Sequence, residues 1–186
     1  MSRISNIFVI GAGSWGCAIS SVLNKNGCDV TLYHHSETFI DDLLSTRVHP
    51  QLKNSTIDKA ITLTARTDAL KNADYIFIAI PTQSIRKLLL NIEIPEDSNI
   101  VSLSKGIEVD TYRLPCELVL ELTGCQESNV CALSGPSHAE EVVDGIPTTV
   151  VVAGSNMTLN RNVQGLLSST NMRAYSNSDL LGVELA

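Results

Sequence analysis

The sequence predicts an α/β protein, a mostly parallel sheet with helices on both faces, and three observations lead there. Short β-branched runs recur along the chain, most of them continuously apolar rather than alternating, which is the habit of strands buried on both faces. Amphipathic, helix-length segments lie between them. A glycine-rich turn joins the first apolar run to the first such segment.

The candidate strands are residues 7–10, 30–33, 75–80, 100–103, 130–133 and 148–152. Residues 15–26 read as a helix that Gly27 terminates, because glycine reaches the left-handed backbone of a helix end without steric cost. Ser36 or Thr38 offers a hydroxyl to cap a second helix running through Leu44. Residues 46–58 contain Pro50, polar side chains and little periodicity, and are expected to form a long surface loop near the ligand site. Residues 83–90 carry apolar side chains at helical spacing, and Pro115 suits the first turn of a helix continuing to Leu122, where its missing N–H is not needed. A final helix over 179–186 is expected, capped by Ser176 or Ser178. There is no internal repeat and no low-complexity tract.

With 186 residues, 44% of them apolar, the chain can bury one good core, and 1–186 reads as a single domain. A net charge of -7 argues against nucleic acid or an anionic membrane as partner, since both select basic surfaces. No apolar run approaches the roughly 20 residues of a membrane span, and the first ten residues lack the apolar core of a secretory signal, so the expected compartment is the cytoplasm. The cysteines at 17, 28, 116, 125 and 131 show no paired spacing that would hold zinc or a cluster. They read as reduced, buried thiols, and no metal is expected.

The glycine turn carries the first functional reading. Ile7 to Ile10 lead into Gly11-Ala12-Gly13-Ser14-Trp15-Gly16, then an amphipathic helix and a second strand. In that context GxGxxG is the dinucleotide-binding fingerprint of a doubly wound, Rossmann-like sheet. Gly11 permits the tight turn, Gly13 lets the backbone approach a pyrophosphate, and Gly16 lets the helix pack close to the strand. The phosphates would meet unpaired N–H groups, those of Ser14 and Trp15 among them, at the positive end of the helix dipole. On the loop alone FAD or a nucleotide sugar would also fit. A carboxylate at the end of the second strand would bond a ribose 2′-hydroxyl and repel a 2′-phosphate, but this chain has Tyr33-His34-His35-Ser36 there. Imidazole and hydroxyl donors suit a 2′-phosphate, which favours NADP over NAD, although His34 by itself reads equally well as a solvated ring.

Three further motifs fall where strands end: Ile80-Pro81-Thr82-Gln83, Ser104-Lys105-Gly106-Ile107-Glu108, and the run from Leu133 through Gly135, Ser137 and Ala139 to Glu141. Beyond the carboxyl ends of parallel strands lies the ligand crevice, so these turns should converge on one place. With GAGSWG, IPTQ, SKGIE, LSGPSHAEEVVDGIPTTVVVA and the closing MRAYSNSDLLGVELA in order, the chain closely resembles, from Ile7 to Ala186, the NAD(P)-dependent sn-glycerol-3-phosphate dehydrogenases of bacterial type.

The resemblance implies reduction of dihydroxyacetone phosphate to sn-glycerol 3-phosphate with NADH or NADPH, supplying the backbone of phospholipids. It implies cofactor contacts at Ser14, Trp15, His35, Lys105 and Ala139, and substrate contacts at Lys105, Gly135 and Ser137. A lysine ammonium at a strand end can stabilise charge on substrate oxygens. His138 departs from the family, which usually has phenylalanine there; it is expected to take an aromatic packing position with its polar tip bonded locally, without a catalytic role. The resemblance also implies that the last helix, over about 178–186, continues into a sequence carrying the catalytic lysine and an all-helical substrate domain, both absent from this chain. A fragment that binds the cofactor without turnover is therefore expected, from an enzyme for which a homodimer is open. Two rival readings are a 6-phosphogluconate-type hydroxyacid dehydrogenase and a dinucleotide-sensing module without chemistry; SKGIE and LSGPS together favour the glycerophosphate reading.

Overall fold

The structure, a computed structural model, describes residues 4–52 and 55–186. Residues 1–3 of the predicted domain and residues 53 and 54 of the predicted 46–58 loop lie outside the described residues.

The described residues form one eight-stranded sheet. Its strands are β1 (Asn6–Ile10), β2 (Asp29–Tyr33), β3 (Thr62–Thr64), β4 (Tyr75–Ile78), β5 (Asn99–Ser102), β6 (Val130–Ser134), β7 (Thr148–Ala153) and β8 (Met172–Asn177), in spatial order β3-β2-β1-β4-β5-β6-β7-β8. The first six run parallel. β7 turns against β6, and β8 runs with β7. The continuous apolar runs are explained by what covers them. Side chains alternate across the sheet, so Ile7, Val9, Leu32, Phe77 and Val101 enter one core while Phe8, Ile10, Ile76, Ile78 and Ile100 enter the other.

The helices are α1 (Ser14–Lys25), α2 (Glu37–Thr46), α3 (Thr82–Leu89), α4 (Pro115–Thr123), α5 (Ala139–Val143), α6 (Met157–Leu167) and α7 (Leu180–Leu185). α1 ends as predicted: Gly27 sits at φ +87°, its N–H donates to Asn24 and that of Cys28 to Leu23, the paired bonds of a Schellman motif. Ser36, not Thr38, caps α2, accepting from the Phe39 N–H at 3.2 Å. α7 is capped by Asp179, which accepts from the Gly182 N–H at 2.9 Å, rather than by Ser176 or Ser178. Ser176 is unavailable because it belongs to β8. The 46–58 segment departs from a surface loop, since His49, Leu52 and Ile57 are buried in it. All five cysteines are free and buried, and burial pushes the Cys17 and Cys131 thiols up to about 12.

Candidate functional site

Because β1, β4, β5 and β6 are parallel, the turns that follow them share one edge of the sheet. The chain order reverses at β1, which has β2 on one side and β4 on the other, and such a switch point is where an open α/β sheet leaves a crevice.

The glycine turn occupies that point. At Gly11, φ is +111° and an added Cβ would lie 2.4 Å from the Ala79 carbonyl oxygen. At Gly16 a Cβ would lie 1.8 Å from the Gly11 carbonyl oxygen, so α1 sits against the turn only because that carbon is missing. Gly13 is different: it is exposed, and a Cβ there would meet nothing within 4 Å. Gly13 is also the N-cap of α1 and offers no side-chain cap, so the first amides of the helix, at Ser14, Trp15 and Gly16, have no acceptor from it. A floor walled at Gly11 and Gly16 and open at Gly13, under uncapped amides at the positive end of a helix, fits a diphosphate.

The end of β2 is tied to this turn, since the Gly11 N–H donates to the Tyr33 carbonyl at 2.9 Å. His34 follows, half-buried, with His35 and Phe39 each at 4.5 Å between ring centroids and its Nδ1 accepting from the Ser36 N–H at 3.1 Å. Burial, then the neighbouring His35, lowers the His34 pKa. Sequence reasoning missed His49. It is 5% exposed, packs edge-on to Phe39, accepts from the Gln51 N–H at 3.2 Å and hydrogen-bonds the Ala12 backbone in the glycine turn. Burial lowers its pKa, with the Ala12 bond opposing. No periodicity marks His49; its only signal was membership of a loop expected near the ligand.

Further along the edge, the Ser104 hydroxyl donates to the Ile80 carbonyl and that of Thr82 to the Lys105 carbonyl, each at 2.6 Å, which laces the turn after β4 to the turn after β5. Lys105 is exposed and its Nζ donates to the Gly135 carbonyl at 3.1 Å. The Ser137 hydroxyl lies 3.5 Å from the same oxygen. A Cβ on Gly135 would come 2.8 Å from the Thr149 carbonyl oxygen, so glycine is what lets this turn pass β7. Ala139 is buried at the start of α5, which packs on α1 and so brings the turn after β6 back to the glycine-turn helix. His138 does not take the expected aromatic packing position. It is exposed as the N-cap of α5, because the helix begins directly after it.

His34 and His35 thus stand at one end of the crevice, Gly135 and Ser137 at the other, and the glycine turn and Lys105 between them. Four inter-strand steps, roughly 19 Å, separate β2 from β6, which suits an elongated ligand with two chemically different ends.

Comparison with known proteins agrees with this geometry. A family model described as NAD-dependent glycerol-3-phosphate dehydrogenase N-terminus matches residues 6–160. The glycerol-3-phosphate dehydrogenase (NAD(P)+) of a Thermotoga species is 37% identical over 179 residues, covering 96% of this chain and 53% of that protein. Its counterpart from Corynebacterium diphtheriae is 36% identical, with 96% and 55% covered. The crystal structure of the Coxiella burnetii glycerol-3-phosphate dehydrogenase matches with a TM-score of 0.89 at 28% identity, over 97% of this chain and 56% of that one. The chain spans about half the length of the curated relatives it matches.

Proposed function

Because this chain belongs to the NAD-dependent glycerol-3-phosphate dehydrogenase N-terminal family, we propose that residues 1–186 are the dinucleotide-binding domain of an enzyme that reduces dihydroxyacetone phosphate to sn-glycerol 3-phosphate for phospholipid synthesis. NADP is the favoured cofactor over NAD. In this reading the enzyme works in the cytoplasm; no helix among the described residues is long and apolar enough to cross a membrane.

Gly11, Gly13 and Gly16 with the amides of Ser14 and Trp15 would hold the diphosphate, His34 and His35 would take the ribose end with its 2′-phosphate, and Ala139 would add a further cofactor contact. When bound, the coenzyme would supply the hydride for reduction of the substrate carbonyl. The side chains here orient and carry charge. The Lys105 ammonium, held beside the Gly135 carbonyl, lies where a substrate oxygen would collect negative charge, and a preorganised donor of this kind contributes about 2.7 to 4 kcal/mol to transition-state stabilisation. Gly135 and Ser137 present polar groups to the same oxygens. No side chain of 1–186 is assigned the proton transfer, which the resemblance gives to a lysine that follows. By themselves these 186 residues bind coenzyme without turnover.

The observation that carries this reading is the open face of Gly13 beneath uncapped helix amides. Isothermal titration tests it: NADPH is expected to bind more tightly than NADH, and Gly13→Val to abolish both signals while the cooperative thermal unfolding of the domain is retained, since a Cβ there meets nothing within 4 Å. Retained affinity in Gly13→Val would place the diphosphate elsewhere.

A further inference from the structure

The loop from Ser104 to Arg113, which carries Lys105, has almost no apolar anchorage of its own. Ile107, Val109 and Tyr112 are exposed, and Glu108 is the one buried side chain between Leu103 and Leu114. A loop without buried apolar area is held by its polar bonds or not at all. Besides the Ser104 bond to Ile80, backbone bonds within the loop and the Arg113 ion pairs to Glu117 and Glu121 of α4 at 3.6 Å, those bonds come from the first turns of α3. Thr82 donates to the Lys105 carbonyl. The Gln83 side-chain amide grips the backbone twice, its Nε2 donating to the Ile107 carbonyl at 2.8 Å and its Oε1 accepting from the Val109 N–H at 3.1 Å. The Arg86 guanidinium forks onto the Glu108 carboxylate at 2.9 to 3.2 Å and reaches Glu121 on α4 at 2.8 Å. Thr111 adds a hydroxyl to the same Glu108 carboxylate.

We propose that Thr82, Gln83 and Arg86 are positioning residues for Lys105: one edge of α3 splints the loop so that the ammonium stays on the Gly135 carbonyl. The chemical logic is that of a buried charge pair. Glu108 is 7% exposed, and a carboxylate so placed is held in its charged form first by the guanidinium fork against it and then by the Thr111 hydroxyl. Without Arg86 the loop gains by moving Glu108 to water, and Lys105 moves with it. The role in catalysis rests on the reading of Lys105 as the lysine that faces substrate, but the positioning itself does not.

Site-resolved amine labelling separates the two. Reductive methylation of the chain, followed by mass spectrometry, gives a rate for each lysine, with the exposed Lys87 on the same helix as internal reference. Gln83→Ala is expected to raise the Lys105 rate about fivefold, the protection one hydrogen bond confers, with Lys87 and the melting temperature unchanged. Arg86→Ala is expected to raise it further, and Arg86→Lys, which keeps charge but not the fork, to fall between Arg86→Ala and the parent. Because Gln83 is exposed on a helix, Gln83→Ala decides the matter even where Arg86→Ala does not fold. An unchanged Lys105 rate in Gln83→Ala, or a parallel rise at Lys87, overturns the proposal. NADPH titration of the parent chain reports separately on the functional reading, so loss of one does not mask the other.

Discussion

His34 and His49 share a constraint, for each accepts at Nδ1 from the backbone N–H two residues on, at Ser36 and Gln51. Burial is the largest influence on both rings and lowers both pKa values from the ordinary value near 6.5, with backbone bonds at Ser36 and Ala12 opposing. The sign follows. As pH falls through the ordinary value the unfolded chain takes up protons that the folded one still refuses, so the contribution is full above that range and is lost on descending towards the lowered folded values. Glu184 acts the other way, because burial raises its pKa and its contribution is lost as pH rises through the raised value. Above pH 5 Glu108 and Glu121, whose pKa values are lowered chiefly by Arg86, stay ionised. The melting temperature should therefore drop between pH 7.5 and 5, and replacing both histidines by glutamine should flatten that limb. An equally steep limb in the double variant would assign the acid sensitivity to other groups. None of this was legible in sequence for His49, since its burial comes from packing on Phe39 and the glycine turn, contacts between segments that no local pattern announces.

Elements were legible where they carry their own end signals. Gly27, Ser36 and Pro115 each mark a helix end through backbone chemistry that is complete within a few residues, and each does so in the structure. Ser36→Ala should accordingly cost about 1 kcal/mol, read as a lowered urea midpoint at constant slope; a midpoint equal to that of the parent would mean that the Phe39 N–H finds water instead. β3 and β8 were missed for a different reason. β3 has three residues, and β8 is an edge strand with alternating burial, so neither shows the continuous apolar run of its neighbours. α5, five residues long, is below the length at which periodicity registers, while the Asn156 cap of α6 was a signal present but unread. α7 shows how an element acquires direction from the sheet. Reversal of β7 and β8 ends β8 at the edge away from the crevice, and α7 then climbs back until Glu184 accepts from the Cys116 N–H at 3.0 Å in the first turn of α4.

At the scale of the molecule, six parallel strands end on one edge, along which the glycine turn, a histidine cluster and an ammonium are spaced. In the proposed function, coenzyme binding uses that edge, and proton delivery is assigned to a group outside it. A coupled assay of the 186-residue chain with dihydroxyacetone phosphate and NADPH should accordingly show no steady-state turnover, since acid catalysis and positioning are each worth orders of magnitude in rate; robust turnover would mean that a side chain on this edge delivers the proton. The sequence alone determined the α/β class, the glycine turn and the motifs at strand ends, because strand burial, backbone freedom at glycine and helix capping are settled by residues close together in the chain. Only the tertiary structure decided that β7 and β8 run backwards, that His49 reaches the glycine turn, and that α3 carries the loop of Lys105. Each of these depends on contacts between distant segments, whose energies are set by what packs against them and not by their neighbours in sequence.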